Sequence, residues 1–286
     1  MLKTSATMHS LLLCFLSLPL LQAQPPGPPT GRVSLSPQTH EINLDERPRT
    51  HVYRISNLGQ NPVELAVEVL NWEQDAEGRM VMVEPTETSL DQWFIINPTT
   101  LSIPPGETRA VRFAIRPAVE LPRGEHRAAV IFQQIGDPPA PEGRGGITFT
   151  ARFRLQSAVY ATVGDVERKG NIDAVLLLPN VFLTTISCNT NAHVRPRGRL
   201  QVWQADAFPG ITPALQAANA DTPPDGLLFS SSLNERPVLP GNTRTIAHPL
   251  DGEPLTPGSY KVLVNGFLGD ESIQKVWDFE ITEPTP

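Results

Sequence analysis

The chain has 286 residues, 40% of them hydrophobic and 6% aromatic, with 30 prolines, 20 glycines and a formal net charge of −7. A pI near 5.4 leaves no general basic face for nucleic-acid phosphates or an anionic membrane surface, so neither partner is expected. The length suits two domains of ordinary size once a leader is removed.

Lys3 precedes an almost entirely apolar run from Leu11 to Leu21, and Gln22-Ala23-Gln24 places a small residue where a signal peptidase could cut. Residues 1–23 therefore read as a secretory signal peptide, and the product is expected outside the cytoplasm. Too little apolar sequence precedes Cys14 for a lipoprotein cleavage box, so no lipid anchor is expected. The run is shorter than the ~20 residues that a bilayer needs. The next apolar candidate, Val175 to Ile186, is interrupted by Pro179-Asn180. No membrane insertion is expected.

A Pro-rich spacer, 24–32, leads into short β-type runs separated by turn signals. They are Val33 to Leu44, Thr50 to Ser56, Val63 to Asn71, Arg79 to Glu84, Gln92 to Ile96, Thr100 to Ile103, Arg109 to Ile115 and Arg127 to Gln134. Asn57 to Pro62, Asp75 to Gly78 and Pro104-Pro105-Gly106 supply the residues that tight reversals need. Seven or eight strands in about 130 residues, with no helical period, indicate a β-sandwich over 33–163.

The last run of this block, Ile147 to Val163, alternates apolar and polar residues for roughly three times the usual strand length. Ile147, Phe149, Ala151, Phe153 and Leu155 share one side, and Thr148, Thr150, Arg152, Arg154 and Gln156 the other. Such a strand, following a Pro/Gly-rich loop from Gly136 to Gly145, is offered to a partner or packs into its own sandwich.

A polar, glycine-bearing stretch, 164–173, is expected to link this block to a second, irregular β-sandwich over 174–286. Its strands are expected at Ala174 to Ser187, Arg199 to Trp203, Tyr260 to Val264 and Val276 to Ile281. Phe208 to Gly226 reads as a long loop with a helical turn at Ala214 to Ala220. Ser230-Ser231-Ser232 reads as a polar loop.

Catalytic patterns are missing from the sequence. It holds no HExxH, no GxSxG, no nucleotide-type glycine loop and no cysteine cluster. His40, His51, His126, His193 and His248 show no ligand spacing and are expected in structural or surface roles. Asp75, Glu77 and Gly78 could begin a calcium loop, but a hairpin tip needs the same residues. With Cys14 in the leader, Cys188 stands alone, so no intramolecular disulfide forms, and its apolar neighbours suggest an inert buried thiol. No enzymatic activity, cofactor or metal is expected.

The stretch Ile95 to Arg112, IINPTTLSIPPGETRAVR, followed by Leu121-Pro122-Arg123-Gly124-Glu125-His126-Arg127, resembles the first domain of the PapD-like periplasmic pilus chaperones. The match covers about Val33 to Tyr160, and Asn57 after Tyr53 to Ser56 resembles that domain's early strand ending in Asn. The second half resembles a generic bacterial Ig-like domain. The resemblance implies an all-β chain of two Ig-like β-sandwich domains in tandem, resident in the periplasm. It also implies donor-strand complementation, in which the long strand is lent to a pilin-like or other secreted Ig-like subunit. By position the donor row is Ile147, Phe149, Ala151, Phe153 and Leu155. Arg154, with Arg152 as the alternative, is the candidate grip for the subunit's terminal carboxylate. The family's first-strand arginine is missing where Gln38 to His40 stand. An outer-membrane usher would be a second partner, and pairing of two copies into a self-capping dimer is a further expectation. The alternative is a non-enzymatic structural or adhesive Ig-like protein of the cell envelope, at the cell surface or outside it.

Overall fold

The computed structural model describes residues 33–46, 49–75, 77–136, 152–217 and 222–283. The first strands, β1 (Val33–Ser36) and β2 (Thr39–Asn43), read as one run in the sequence but belong to different sheets, with the cis peptide Ser36–Pro37 between them. There follow β3 (His51–Asn57), β4 (Val63–Leu70), β5 (Trp72–Gln74), β6 (Met80–Met82), β7 (Phe94–Asn97), β8 (Thr100–Ile103), β9 (Thr108–Ile115), β10 (Gly124–Ile135) and β11 (Arg154–Val163). One sheet has the order β1-β3-β9-β7, and the other has β2-β11-β10-β4-β8. β5 and β6 form a separate hairpin, so the Asp75 to Gly78 segment is a hairpin tip, with Arg79 Nε 2.7 Å from Asp75 Oδ2.

Period-2 alternation supplies the core between the sheets. Tyr53, Ile55, Leu65, Val111, Phe113 and Phe132 point inward and are almost completely buried. Each such side chain contributes about 1.5–3 kcal/mol of transfer free energy. The rings stack as well: Phe113 lies 5.3 Å from Tyr53 and 5.2 Å from Phe94. Asn57, fully buried at the end of β3, is satisfied by donating to Ile103 O and Asn61 O.

The second half holds β12 (Gly170–Leu178), β13 (Val181–Cys188), β14 (Pro196–Gln204), α1 (Ile211–Ala217), β15 (Leu227–Ser232), β16 (Thr243–Pro249), β17 (Gly258–Leu268) and β18 (Glu271–Ile281). Sheets β12-β13-β16 and β15-β14-β17-β18 enclose Phe182, Ile186, Leu200, Val202, Val262 and Val264. Cys188 is buried and unpaired, as expected.

The second sandwich corrects several expectations. The Ala174 to Ser187 run is two strands, because Pro179-Asn180 is the reversal between β12 and β13. Ser230 to Ser232 pair with β14 rather than forming a loop. The helix begins at Ile211, three residues before the expected turn, and packs on Trp203 and Leu263 outside the sheet. β16 follows the turn-then-strand signal of Pro237 to Gly241 but carries no apolar alternation, because two of its inward residues are Arg244 and His248. Arg244 Nη1 donates to Pro237 O while its Nε is buried without a partner, and His248 lies 3.0 Å from Thr184 Oγ1 and accepts from Asn234 N–H.

Candidate functional site

The open edge of β11 follows from the phase of its backbone. Gln134 N–H, on the β10 side, donates to Phe153 O, whereas Leu44 N–H, on the β2 side, donates to Thr162 O. Backbone groups change sides at each residue of a strand. The odd-numbered residues of β11 therefore direct N–H and C=O at β10, and the even-numbered residues direct theirs the other way. β2 covers that other side in parallel, but only from Ala158 to Thr162. The N–H and C=O groups of Arg154 and Gln156 accordingly face no strand among the described residues.

The side chains of this half-edge are sorted by the same alternation. Ser157, Val159 and Ala161 are buried inward, and Ser157 Oγ donates to Tyr53 OH at 2.9 Å. Phe153 and Leu155 are half-buried at the rim of the first core and pack against it. Arg152, Arg154 and Gln156 are exposed. The remaining donor-row residues, Ile147, Phe149 and Ala151, lie outside the described residues.

At the other end of β11 the two sandwiches meet. Leu239 of the second is 1% exposed and fills a niche made by Trp72, Ala129, Ile131 and Tyr160 of the first. The β5–β6 hairpin reaches across, where Gln74 Nε2 donates to Pro237 O and Gly78 lies against the Arg244 guanidinium. Beside the connecting segment, Glu125 N–H donates to Asn191 O, and the Asn191 side chain bonds Asp165 O and Glu167 N–H.

A cleft between the sandwiches is lined by Glu41, Arg168, His193, Arg195, Arg197 and Asp270 around a cavity of about 210 Å³. A neighbouring cavity of about 300 Å³ runs along Glu41, Tyr160, Thr162 and Arg168. His193, 3% exposed, donates from Nδ1 to the fully buried carboxylate of Glu125 at 2.5 Å. Arg195 lies over the Tyr160 ring at 5.4 Å, and burial pushes the Tyr160 phenol up to about 12. Glu41 is held down to about 2 by His193, with further help from the Arg195 and Arg168 charges. A larger cavity, about 690 Å³, opens at the mouth of the first sandwich around Leu44, Ile115, Val119 and Leu121, with charges of both signs on its rim.

The structure thus separates residues that the sequence grouped together. Arg154 and Tyr160 are six residues apart on β11, about 20 Å at ~3.3 Å per residue, so the candidate grip Arg154 is far from the cleft. The strand facing the cleft from β2 contributes Glu41. His40, next to it, turns inward, with its ring 4.7 Å from Tyr53 and 5.0 Å from Phe113. Burial holds His40 down to about 4. Sequence reasoning missed Glu41, Arg168, His193 and Arg195 as a set. Alternation of His193, Arg195 and Arg197 was the only available signal, and their opposite wall is supplied by distant strands. No group of His, Cys, Asp and Glu among the described residues could hold a metal ion, and none of their helices is long and apolar enough to cross a membrane.

No family model and no curated protein matches the chain. Solved structures similar to it include the class 5 fimbriae chaperone CfaA, at 10% identity and a TM-score of 0.42, covering 88% of this chain and 100% of that one. A chain from the Salmonella enterica SafA pilin–SafB chaperone complex is 12% identical with a TM-score of 0.41, covering 87% and 96%. A chain from the CsuC–CsuE chaperone–tip adhesion subunit complex of Acinetobacter baumannii is 15% identical with a TM-score of 0.39, covering 86% and 97%.

Proposed function

We propose that this protein is an exported, non-enzymatic chaperone that holds a pilin-like or other secreted Ig-like subunit in the periplasm by strand addition along β11. The observation that carries this reading is the half-covered edge: β2 pairs with Ala158 to Thr162 and stops, leaving the backbone groups of Arg154 and Gln156 unmatched among the described residues. A partner strand laid there extends the β2 position toward the start of β11. Main-chain hydrogen bonds then supply affinity, and alternating side chains fix register.

In this reading Ile147, Phe149, Ala151, Phe153 and Leu155 form the donor row, with its described end, Phe153 and Leu155, bordering the first core. The subunit carboxylate is gripped by Arg154, or by Arg152, as a charge-assisted pair. An usher and a self-capped dimer, in which two copies pair through the same edge, belong to the same proposal. The second reading, a structural or adhesive envelope protein, draws support from that same packing of Phe153 and Leu155 against the first core.

The deciding experiment is affinity purification from the native envelope, with mass spectrometry of what co-purifies. Chaperoning predicts a small secreted Ig-like subunit at native stoichiometry, lost on Phe149→Glu and weakened by Arg154→Ala, while both variants stay folded. Recovery of no subunit, or of a partner indifferent to both changes, moves the assignment to the envelope-structural reading. Loss of folding in Phe149→Glu would remove the donor-strand assignment itself.

A further inference from the structure

His193 is held between the two sandwiches by groups that ask it for opposite protonation states. Its Nδ1 lies 2.5 Å from Glu125 Oε2, and because a carboxylate oxygen only accepts, Nδ1 carries a proton. Two rivals face Nε2. Arg195 Nε, a permanent donor, is 3.1 Å away and needs a lone pair there. Glu41 Oε1, an acceptor from the other sandwich, is 3.7 Å away and needs a proton there. Neutral imidazole satisfies Arg195, imidazolium satisfies Glu41, and no single state satisfies both.

We propose that this contact is a proton-operated latch between the two sandwiches. A proton taken up from solvent through the cleft binds Nε2 and ends its acceptance from Arg195. The Arg195 Nε–H turns to Glu41 Oε1, now 3.8 Å away, and Nε2–H turns to the same carboxylate. Both moves require displacements of about 1 Å to reach charge-assisted hydrogen-bond length. β2 of the first sandwich is thereby drawn onto the His193–Arg195 segment of the second. Loss of the proton returns Arg195 to the imidazole and leaves Glu41 at the longer distance.

The surrounding charges decide whether the latch works near neutrality. Glu41 from β2, Glu125 from β10 and Asp270 on the cleft wall favour the imidazolium. Arg127, 3.6 Å from Glu125, and Arg168, Arg195 and Arg197 oppose it, while the Tyr160 ring, 4.3 Å from the imidazole, stays neutral. Burial alone pulls His193 down, but the hydrogen bond to Glu125 and the nearby Glu41 carboxylate outweigh it, and the group titrates above its ordinary 6.5. A raised value in the folded state means that the proton stabilises docking fully below about pH 6.5, and that this contribution fades as pH rises through the folded value. None of this depends on strand addition at β11.

The test is proton–nitrogen NMR of the 15N-labelled protein between pH 5 and 9, following the His193 ring and the Arg195 Nε–H. The expected result is a His193 midpoint above 6.5, an Arg195 signal that shifts with the same midpoint because Nε2 ceases to accept from it, and a lower His193 midpoint in Glu41→Gln, which removes a neighbouring negative charge. Glu41 is 44% exposed, so its amide leaves the fold intact, and Glu125→Gln gives a second, independent lowering. A midpoint at or below 6.5, an Arg195 signal flat across the titration, or a His193 midpoint unmoved by Glu41→Gln would each overturn the latch.

Discussion

Gln156→Pro isolates the open edge of β11 from everything else that the strand does. The Gln156 side chain is exposed, and its N–H points away from β10, beyond the reach of β2, whose pairing begins at Ala158. Proline removes that one donor and restricts Leu155 to the extended conformation it already has. Proline is tolerated on edges for this reason, so the melting temperature should change little. Binding should change a great deal. A bound strand loses one main-chain hydrogen bond, about 1 kcal/mol net, and its carbonyl is buried without a donor at a further cost of about 1–3 kcal/mol. Together these weaken capture about 10- to 1000-fold. The control is Leu155→Pro, whose missing N–H belongs to the β10 ladder and which should lose folding and binding together. The assay is isothermal titration of each variant with the subunit recovered from the envelope, alongside thermal melts. If Gln156→Pro melts like the wild type and binds within about twofold of it, the edge is not the binding element and the backbone-phase argument fails.

Other parts of the molecule give independent checks. Gly78→Ala would place a Cβ 2.0 Å from Arg244 Nε at a φ of +76°. Left-handed strain and loss of the Arg244 bond to Pro237 O together should cost about 2–3 kcal/mol, lowering the melting temperature by about 4–12 °C in calorimetry. Tyr53→Phe leaves the buried Ser157 hydroxyl without its acceptor and should cost about 1–3 kcal/mol in chemical denaturation. Tyr53→Phe with Ser157→Ala should recover most of that loss, and a strictly additive double mutant would show that the bond carries no coupling. Burial holds His248 down to about 4, so it folds neutral and contributes stability above 6.5 that is lost as pH falls through 4. His248→Gln should flatten the acid limb of a stability–pH curve in that window, and unchanged slopes would refute the assignment.

Alternation made the first sandwich legible, and its turns were equally explicit. Val63, Leu65 and Val67 or Val111, Phe113 and Ile115 can only be strand faces, and Pro104-Pro105-Gly106 can only be a reversal. The same rule failed wherever an inward position carries a polar group. Arg244 and His248 leave β16 without an apolar row, so that only the turn before it announces the strand, and the three serines hid the end of β15, because hydrogen bonds to distant backbone and to Thr184 replace apolar contact there. A local signal also cannot say where a strand changes sheets. Val33 to Leu44 looked continuous, and only the pairing of β1 with β3 and of β2 with β11 divides it.

The sequence by itself determined the all-β class, the tandem sandwiches, the burial of the lone cysteine and the interest of the strand that becomes β11, because each depends on periods and spacings local to the chain. Only the tertiary structure decided which half of β11 has no neighbouring strand among the described residues and which charges share the cleft. Those properties depend on neighbours from remote strands: β2 ends its pairing at Ala158, and Glu41 and Glu125 meet His193 across the interface. Electrostatic pairing and edge coverage act over a few ångströms of space whatever the distance along the chain, so no window of residues could have displayed them.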